Sequence, residues 1–370
     1  MAINKLSSGN KIGFAKRTIT GVILMLILIP TAVLGSWPFF ILHFLLAIVA
    51  IHEILAVPGK SKYNPLVKGV VYLFVLSFIY WGIVKNWLTD PTTFPSTFFD
   101  FTMSDLVVSV MGIILYALIL FLIAIFTPKV QLSDVTFLFT MGLIIGLGFV
   151  GIYFLRFFPN STGFIKNANY ITKEVSIPLT GATTTMGNYF TAYWNEAKYP
   201  QWTMSSFPII ALCIGTWGGD VGAYLFGMLF GKHRMNPRIS PHKTWEGFIY
   251  GSLFGAVLVL GFAAILEFAF HIPLIPGLLQ FSYSEPLALM HVLNGQASVL
   301  LVLVSLMIPV VGNVGGFLFS LIKRQYGIKD FGKVFPGHGG VIDRFDSVLI
   351  NSIVLSIVLL VTAYGWNLVV

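Results

Sequence analysis

A dense group of charged and glycine residues lies between Ser320 and Asp346, in a chain that is otherwise mostly apolar. Its chemically useful members are Lys323, Arg324, Lys329, Asp330, Gly337, His338, Gly339, Gly340, Asp343, Arg344 and Asp346. Cations bind phosphate oxygens, backbone N–H groups of glycine turns bind anions, and carboxylates bind divalent metals. Charge is costly near a bilayer, so a concentration of this kind usually marks a site. The segment therefore predicts phosphate chemistry.

Asp343 and Asp346 are spaced three residues apart at the start of an apolar run. Residues at this spacing share a helix face, so both carboxylates can reach one metal ion. The preference of acidic residues for helix N-termini is an alternative explanation for one or both of them. The spacing leaves both interpretations open.

A glycine-rich turn, Pro336 to Gly340, comes directly before these acids. Successive glycine N–H groups before a helix make an anion-binding nest, although a plain tight turn is the simpler alternative. His338 within the turn is either a phosphate contact or a structural histidine. Glu53, near the end of an earlier apolar run, is a weaker candidate, for which a hydrogen bond between helices is at least as good an explanation.

Asp220 lies inside an apolar run, about ten residues or about 15 Å from the end of the predicted helix. A carboxylate at that depth must be protonated, paired or bound to a cation. It is therefore either an acid bonded to a neighbouring helix or a ligand in a water-filled cavity. Glycines around it would allow another backbone or a substrate to approach closely: Gly215, Gly218, Gly219 and Gly222.

A basic loop follows, and its last part, Ser240 to Thr244, precedes the next apolar run. Ser240, Lys243 and Thr244 combine hydroxyl groups with a cation, which is typical of a phosphate-contacting turn at a helix start. A solvated basic loop between membrane spans is the alternative.

The composition is that of an integral membrane protein. Hydrophobic residues make up 56% of the chain and charged residues 10%, whereas soluble domains carry about 25% charged residues. The net charge of +8 does not indicate nucleic-acid binding, because the basic residues sit in short loops between apolar runs. The single cysteine, Cys213, excludes an internal disulfide and is expected to be a packed free thiol.

The fold class expected is all-α, with about nine transmembrane helices, because backbone exposed to lipid must satisfy its own hydrogen bonds. The predicted spans are 18–36, 37–56, 67–87, 105–127, 136–157, 207–230, 247–269, 297–322 and 347–368. They define an N-terminal membrane region of five spans (1–158), an extracytoplasmic polar loop (159–206) and a C-terminal catalytic region of four spans (207–370).

The distribution of basic residues predicts the orientation. With the N-terminus in the cytoplasm, 17 of the 22 Lys and Arg residues fall on the inside. The positive-inside rule therefore favours a cytoplasmic N-terminus and an extracytoplasmic C-terminus.

Taken together, these residues resemble the signature of the phosphatidate cytidylyltransferase family, the CDP-diacylglycerol synthases. The matching residues downstream are Ser320, Ile322, Lys323, Arg324, Lys329, Asp330, Gly332, Phe335 to Gly340, Asp343, Arg344 and Asp346. Those upstream are Asp220, Ala223, Tyr224, Gly227, Gly231, Lys232 and Ser240 to Gly247. The resemblance covers about 210–352, and Met228 stands where the family usually has a basic residue.

The resemblance implies cytidylyl transfer from CTP to phosphatidate, giving CDP-diacylglycerol and pyrophosphate. It implies Asp220, Asp343, Asp346 and Asp330 as ligands of Mg²⁺ and leaves a second cation open. Lys243, Lys323, Arg324, Lys329 and Arg344 would hold phosphates, and Ser240, Thr244, His338, Gly339 and Gly340 would add hydrogen bonds. The catalytic set would be Asp220, Lys323, Arg324, Asp343 and Asp346. The resemblance also implies a homodimer in a bacterial plasma membrane, with the site facing the cytoplasm.

Two alternatives remain at this point. A CDP-alcohol phosphotransferase also uses membrane aspartates and Mg²⁺, but its characteristic D-G-x-x-A-R run is absent from the sequence. An ion-coupled transporter would explain a buried Asp220 and glycine-rich spans, but not the basic clusters on the predicted cytoplasmic side.

Overall fold

The computed structural model describes residues 23–24, 26–33, 36–59, 61–88, 105–157, 177–179, 182–184, 206–270, 295–335, 337 and 339–364. The helices with both ends in these ranges are α1 (Ser36–Ala56), α2 (Pro65–Leu88), α3 (Asp105–Phe126), α4 (Leu132–Phe157), α5 (Phe207–Phe230), α6 (Trp245–Phe270), α7 (Gly295–Gln325) and α8 (Ile342–Tyr364). The strands are β1 (Ile177–Leu179), β2 (Ala182–Thr184), β3 (Arg234–Asn236) and β4 (Ser240–Thr244). Residues 26–33 are also helical.

The chain is an α-helical, polytopic membrane protein. Within the described ranges seven helices, α1 to α7, are long and apolar enough to cross a bilayer, and they correspond to seven of the predicted spans. The last predicted span corresponds to α8, whose first residues carry the charges of the candidate site. The first predicted span, 18–36, is described only at 23–24, 26–33 and 36, so the total of nine stays a prediction.

Helices α5 and α6 pack together closely because glycines line both facing surfaces. A methyl group added at Gly255 would lie 2.8 Å from the Gly215 carbonyl oxygen. One added at Gly251 would overlap the backbone of Ala223. Small residues at spacings of four allow two helix backbones to approach in this way. Of the two alternatives for the glycines around Asp220, the structure favours the close approach of another backbone.

Helix α8 packs against α4, α5 and α7 and so joins the two predicted membrane regions. The Ser352 hydroxyl donates a hydrogen bond of 2.8 Å to the Gly148 carbonyl oxygen, and a methyl group at Gly151 would lie 2.8 Å from the Ser352 carbonyl oxygen. Residue 158 lies outside the described residues, and the proposed division of the chain into regions at 158 and 206 stays a prediction.

Contacts at the two ends of α4 agree with spans that cross the membrane in alternating directions. Lys62 and Tyr63, after α1, bind the buried carboxylate of Asp134 at the start of α4. At the opposite end of α4, Arg156 donates a hydrogen bond of 2.8 Å to the Val33 carbonyl oxygen. Residues predicted to share a side of the membrane therefore do so. Which side is cytoplasmic stays a prediction.

The segment Ser240 to Thr244 is a strand rather than the turn expected from the sequence. It forms an antiparallel hairpin with β3, in which Arg234 pairs with Thr244. Glu246, on the first turn of α6, accepts hydrogen bonds from the backbone N–H groups of Lys232 and His233. These bonds hold the hairpin against the start of α6, which explains why the chain is extended here.

Candidate active site

The centre of the site is formed by Asp220, Asp346 and Lys243, which come from three different elements. Asp220 lies on α5, Asp346 near the start of α8 and Lys243 on β4. Asp220 interacts electrostatically with Lys243, Asp346 and Arg344. The structure therefore brings together an upstream and a downstream acid that the sequence separates by a long stretch of chain.

Burial lowers the pKa of Lys243 below its usual value, while the nearby carboxylates of Asp220 and Asp346 oppose that shift. The ammonium group lies 4.4 Å from the centroid of the Phe317 ring, which supplies a cation–π contact. A methyl group added at Gly316 would lie 3.5 Å from the Lys243 Nζ and 3.2 Å from the Ser347 Oγ. Gly316 thus allows Lys243 to reach the space between α7 and α8.

Asp346 is oriented by the residue that follows it. Its Oδ1 accepts hydrogen bonds from the Ser347 N–H at 2.6 Å and from the Ser347 hydroxyl at 3.2 Å. The other oxygen makes no hydrogen bond to any residue that the structure describes. This leaves the carboxylate oriented and able to accept a further ligand.

Asp343 anchors the loop before α8. Its Oδ1 lies 3.0 Å from the Lys323 Nζ, and its Oδ2 accepts hydrogen bonds from the N–H groups of Phe331 at 2.8 Å and Gly340 at 2.9 Å. Both oxygens are thus already bonded within the protein. The carboxylate joins the end of α7, the following loop and the start of α8.

The glycine turn before α8 also makes its bonds within the protein. Gly337 and Gly339 have φ values of 78° and 86°, which only glycine adopts easily. The N–H of Gly339 donates to the Phe335 carbonyl oxygen, and the N–H of Gly340 donates to Asp343. Phosphate binding by Gly339 and Gly340 stays a prediction that requires these bonds to be exchanged. His338 lies outside the described residues.

Glu53 is the residue whose place in the site was least evident from the sequence. It lies on α1, is 3% exposed, and accepts hydrogen bonds from the N–H groups of Val341 at 2.9 Å and Ile342 at 3.0 Å. The hydrogen bond expected between helices is present, but its partners are the backbone groups at the start of α8. The sequence did offer a signal for this role: Glu53 is an acid within an apolar run, near the membrane side on which the site is predicted to lie.

The other predicted site residues lie around this centre with different roles. Arg344 is exposed and interacts with Asp220, whereas the Arg324 Nε donates a hydrogen bond of 3.2 Å to the Ile239 carbonyl oxygen. The Thr244 Oγ1 accepts a hydrogen bond of 3.2 Å from the Gly247 N–H and so caps α6. Three further candidates have no hydrogen bond to their side chains within the described part of the chain: half-buried Ser240 and the exposed Lys329 and Asp330.

Mg²⁺ binding by the four acids predicted as its ligands, Asp220, Asp330, Asp343 and Asp346, stays a prediction. Among the described residues, no group of three or more His, Cys, Asp or Glu side chains is placed to hold a metal ion. Asp343 is engaged by Lys323 and two N–H groups, which leaves Asp220 and Asp346 as a pair. Mg²⁺ in phosphate-transferring sites is commonly held by one or two carboxylates together with substrate phosphates. The pair therefore fits Mg²⁺ once a phosphate-bearing substrate completes the ligand set.

Comparison with known proteins shows the family to which the chain belongs. A family model described as "Cytidylyltransferase family" matches residues 15–362. The chain is 37% identical over 145 residues to a phosphatidate cytidylyltransferase of Staphylococcus aureus, and 35% identical over 144 residues to that of Staphylococcus haemolyticus. Each alignment covers 39% of this chain and 45% of the relative, so the chain spans less than half the length of these relatives. Because the family model covers most of the sequence, the chain belongs to the cytidylyltransferase family.

Proposed function

We propose that this protein transfers a cytidylyl group from CTP to phosphatidate, giving CDP-diacylglycerol and pyrophosphate. The observation that carries the proposal is the placement of the Asp220–Asp346 pair beside Lys243 in a membrane-embedded helical core. Membership of the family supports the cytidylyl transfer. The name shared by the relatives, phosphatidate cytidylyltransferase, supports the lipid substrate.

The chemistry matches what these residues supply. A phosphate oxygen of phosphatidate attacks the α-phosphorus of CTP, a new P–O bond forms, and the bond between the α-phosphorus and the bridging oxygen breaks to release pyrophosphate. A phosphate monoester has a second pKa of about 6, so it is already largely ionised near neutral pH. No strong general base is then needed, and the protein must mainly align two polyanions and balance their charge.

Asp220 and Asp346 would hold Mg²⁺ together with phosphate oxygens of CTP. When bound, the ion would neutralise charge on the α-phosphate and the departing pyrophosphate. Asp343 and Asp330, predicted as further ligands, have no such role in this proposal. A second cation stays open.

The cations around the pair would bind the phosphates. Lys243 is held beside both carboxylates by the hairpin, and exposed Arg344 lies within electrostatic range of Asp220. Lys323 is 3.0 Å from Asp343, and it lies close enough to Asp346 to interact with it. Lys329 and Arg324 would contribute to the positive field around the entrance rather than to the reacting atoms.

The site would open towards the cytoplasm, where CTP is found, and sideways to the bilayer, where the lipid is. This orientation follows from the basic residues, of which 17 of 22 lie on the side of the site if the N-terminus is cytoplasmic. The bacterial relatives favour a plasma membrane location. The proposal includes a homodimer, on the basis of the family resemblance, and no nucleic acid.

Pyrophosphate release by the purified protein in detergent tests the proposal. Release should require CTP, phosphatidate and Mg²⁺ together, and diacylglycerol should not replace phosphatidate because it lacks the attacking phosphate. Asp346→Asn, which preserves shape and removes charge, is the matched control and should lower the rate by about a hundredfold or more. Release that is independent of phosphatidate, or an unaffected Asp346→Asn variant, would contradict the proposal.

A further inference from the structure

The carboxylate of Glu53 occupies the N-terminus of α8, although it belongs to the first fully described helix of the chain. The residues it binds, Val341 and Ile342, lie 288 and 289 positions further along the sequence. N–H groups at a helix start have no partner within the helix, and they attract a negative group. Glu53 supplies that group from α1, so a residue of the N-terminal membrane region completes the start of the site helix.

The loop before α8 is shaped around this carboxylate. A methyl group added at Gly332 or at Gly340 would overlap the Glu53 carboxylate. The φ values at these two glycines do not fall in the left-handed region, in contrast to Gly337 and Gly339. A side chain is therefore excluded at Gly332 and Gly340 by the presence of Glu53 rather than by the backbone conformation.

Glu53 and Asp343 together bind four N–H groups of the same segment. Asp343 takes those of Phe331 and Gly340, and Glu53 takes those of the next two residues. Among the described residues, Lys323 forms an ion pair with Asp343 and none with Glu53. The loop is thus held from two sides, by α7 through Lys323 and Asp343 and by α1 through Glu53.

We infer that Glu53 is a positioning residue of the active site. By fixing Gly332 and residues 340–342 against α1, it sets the direction in which α8 begins, and so places Asp346 and Arg344 opposite Asp220 and Lys243. Within the described part of the chain, the Glu53 carboxylate makes its hydrogen bonds to Val341 and Ile342 and none to these four side chains. The inference about catalysis rests on the proposed function, whereas the inference about the position of α8 does not.

Hydrogen exchange of the purified protein in detergent tests the positioning without any assay of activity. In Glu53→Ala, amides of residues 339–347 should exchange about tenfold faster or more, because two charge-assisted hydrogen bonds are lost. Asp134→Ala is the matched control, since it removes an equally buried carboxylate that binds the Gln131 N–H at the start of α4. It should leave exchange in 339–347 unchanged. Equal exchange in wild type and Glu53→Ala would overturn the inference.

Kinetics separate positioning from a general loss of stability. Glu53→Ala should lower kcat by roughly tenfold to a hundredfold with a small change in the KM for CTP, and Glu53→Gln, which keeps one acceptor, should lie between. Asp134→Ala should keep the kcat of the folded protein. An unchanged kcat in Glu53→Ala would overturn the inference that Glu53 positions the site for catalysis. If wild type itself makes no CDP-lipid, the proposed function fails, and the exchange experiment alone decides the position of α8.

A second-site variant makes the contact itself testable. Gly332→Ala should displace the Glu53 carboxylate and reproduce the faster exchange of Glu53→Ala. In the double variant Glu53→Ala/Gly332→Ala the methyl group has space, so exchange and kcat should be no worse than in Glu53→Ala alone. Losses that simply multiply would show that the two residues act separately and would overturn the proposed contact.

Discussion

Replacing Lys323 by Gln removes the cation that balances Asp343, and it separates an anchoring role for this acid from a metal-binding one. The side chains of Lys323 and Asp343 are 13% and 2% exposed, and their charged atoms lie 3.0 Å apart. Solvent therefore screens the pair weakly. In Lys323→Gln the carboxylate would stay buried with only the Phe331 and Gly340 N–H groups as partners.

The expected cost follows from these contacts. Removing one member of a buried ion pair costs about 3–5 kcal/mol, and the two remaining N–H bonds place Lys323→Gln near the lower limit, at about 3 kcal/mol. Asp343→Asn should cost about 2–3 kcal/mol, because the amide keeps the shape but accepts fewer hydrogen bonds. The two changes remove the same interaction, so the double variant should lose about 3 kcal/mol rather than the sum.

Unfolding in mixed detergent with increasing sodium dodecyl sulfate, followed by tryptophan fluorescence, measures these free energies. For an anchoring Asp343 the losses should be the same with and without Mg²⁺, because both of its oxygens already bind protein groups. Asp346→Asn is the matched control, and its stability relative to wild type should fall mainly when Mg²⁺ and CTP are both present. Additive losses at Lys323 and Asp343, or a loss in Asp343→Asn that appears only with Mg²⁺, would refute the anchoring role.

Three further predictions concern helix packing, pH and topology. Gly251→Ala should destabilise the α5–α6 pair by about 1–3 kcal/mol in the same unfolding assay because its methyl group meets backbone. Gly261→Ala, in open space on the same helix, should be neutral or slightly stabilising; equal effects would contradict the packing. Because burial lowers the pKa of Lys243, kcat should fall on the alkaline side before an ordinary lysine titrates. Lys243→Arg, which stays charged, should keep kcat constant up to a higher pH. If the alkaline fall in kcat does not shift in this variant, the titration of Lys243 is not its cause. In a cysteine-free background, a cysteine at Lys333 should react with an impermeant thiol reagent only after access to the inside is opened, and one at Lys173 should react from outside. The reverse pattern would overturn the orientation.

The spans were largely predictable because the hydropathy of an uninterrupted apolar run reports directly on membrane burial. The ends of the helices were less predictable. The predicted fifth span begins at 136, but α4 begins at Leu132, because Asp134 accepts a hydrogen bond from the Gln131 N–H and caps the first turn. Hydropathy marks where lipid contact starts, whereas capping marks where the helix starts.

The chemistry of the site was predictable in its residue types and less so in their partners. Asp220, Lys243 and Asp346 do converge. Each could be identified from the sequence because it is a charged residue in or beside an apolar run. The spacing of Asp343 and Asp346 suggested a shared metal, but spacing along a helix cannot reveal that Lys323 and two loop N–H groups already surround Asp343. Glu53 was under-rated for the same reason, since its partners are backbone atoms 288 or more residues away.

The fate of each CTP phosphate distinguishes cytidylyl transfer from other reactions of CTP. The purified protein is given phosphatidate, Mg²⁺ and CTP radiolabelled either at the α-phosphate or at the γ-phosphate, and the lipid is extracted. Label from the α-phosphate should enter the lipid while that from the γ-phosphate stays in the water phase as pyrophosphate, and Asp346→Asn should reduce the transfer by about a hundredfold or more. Lipid labelled from the γ-phosphate, or α-label transfer that survives in Asp346→Asn, would contradict cytidylyl transfer at the Asp220–Asp346 pair.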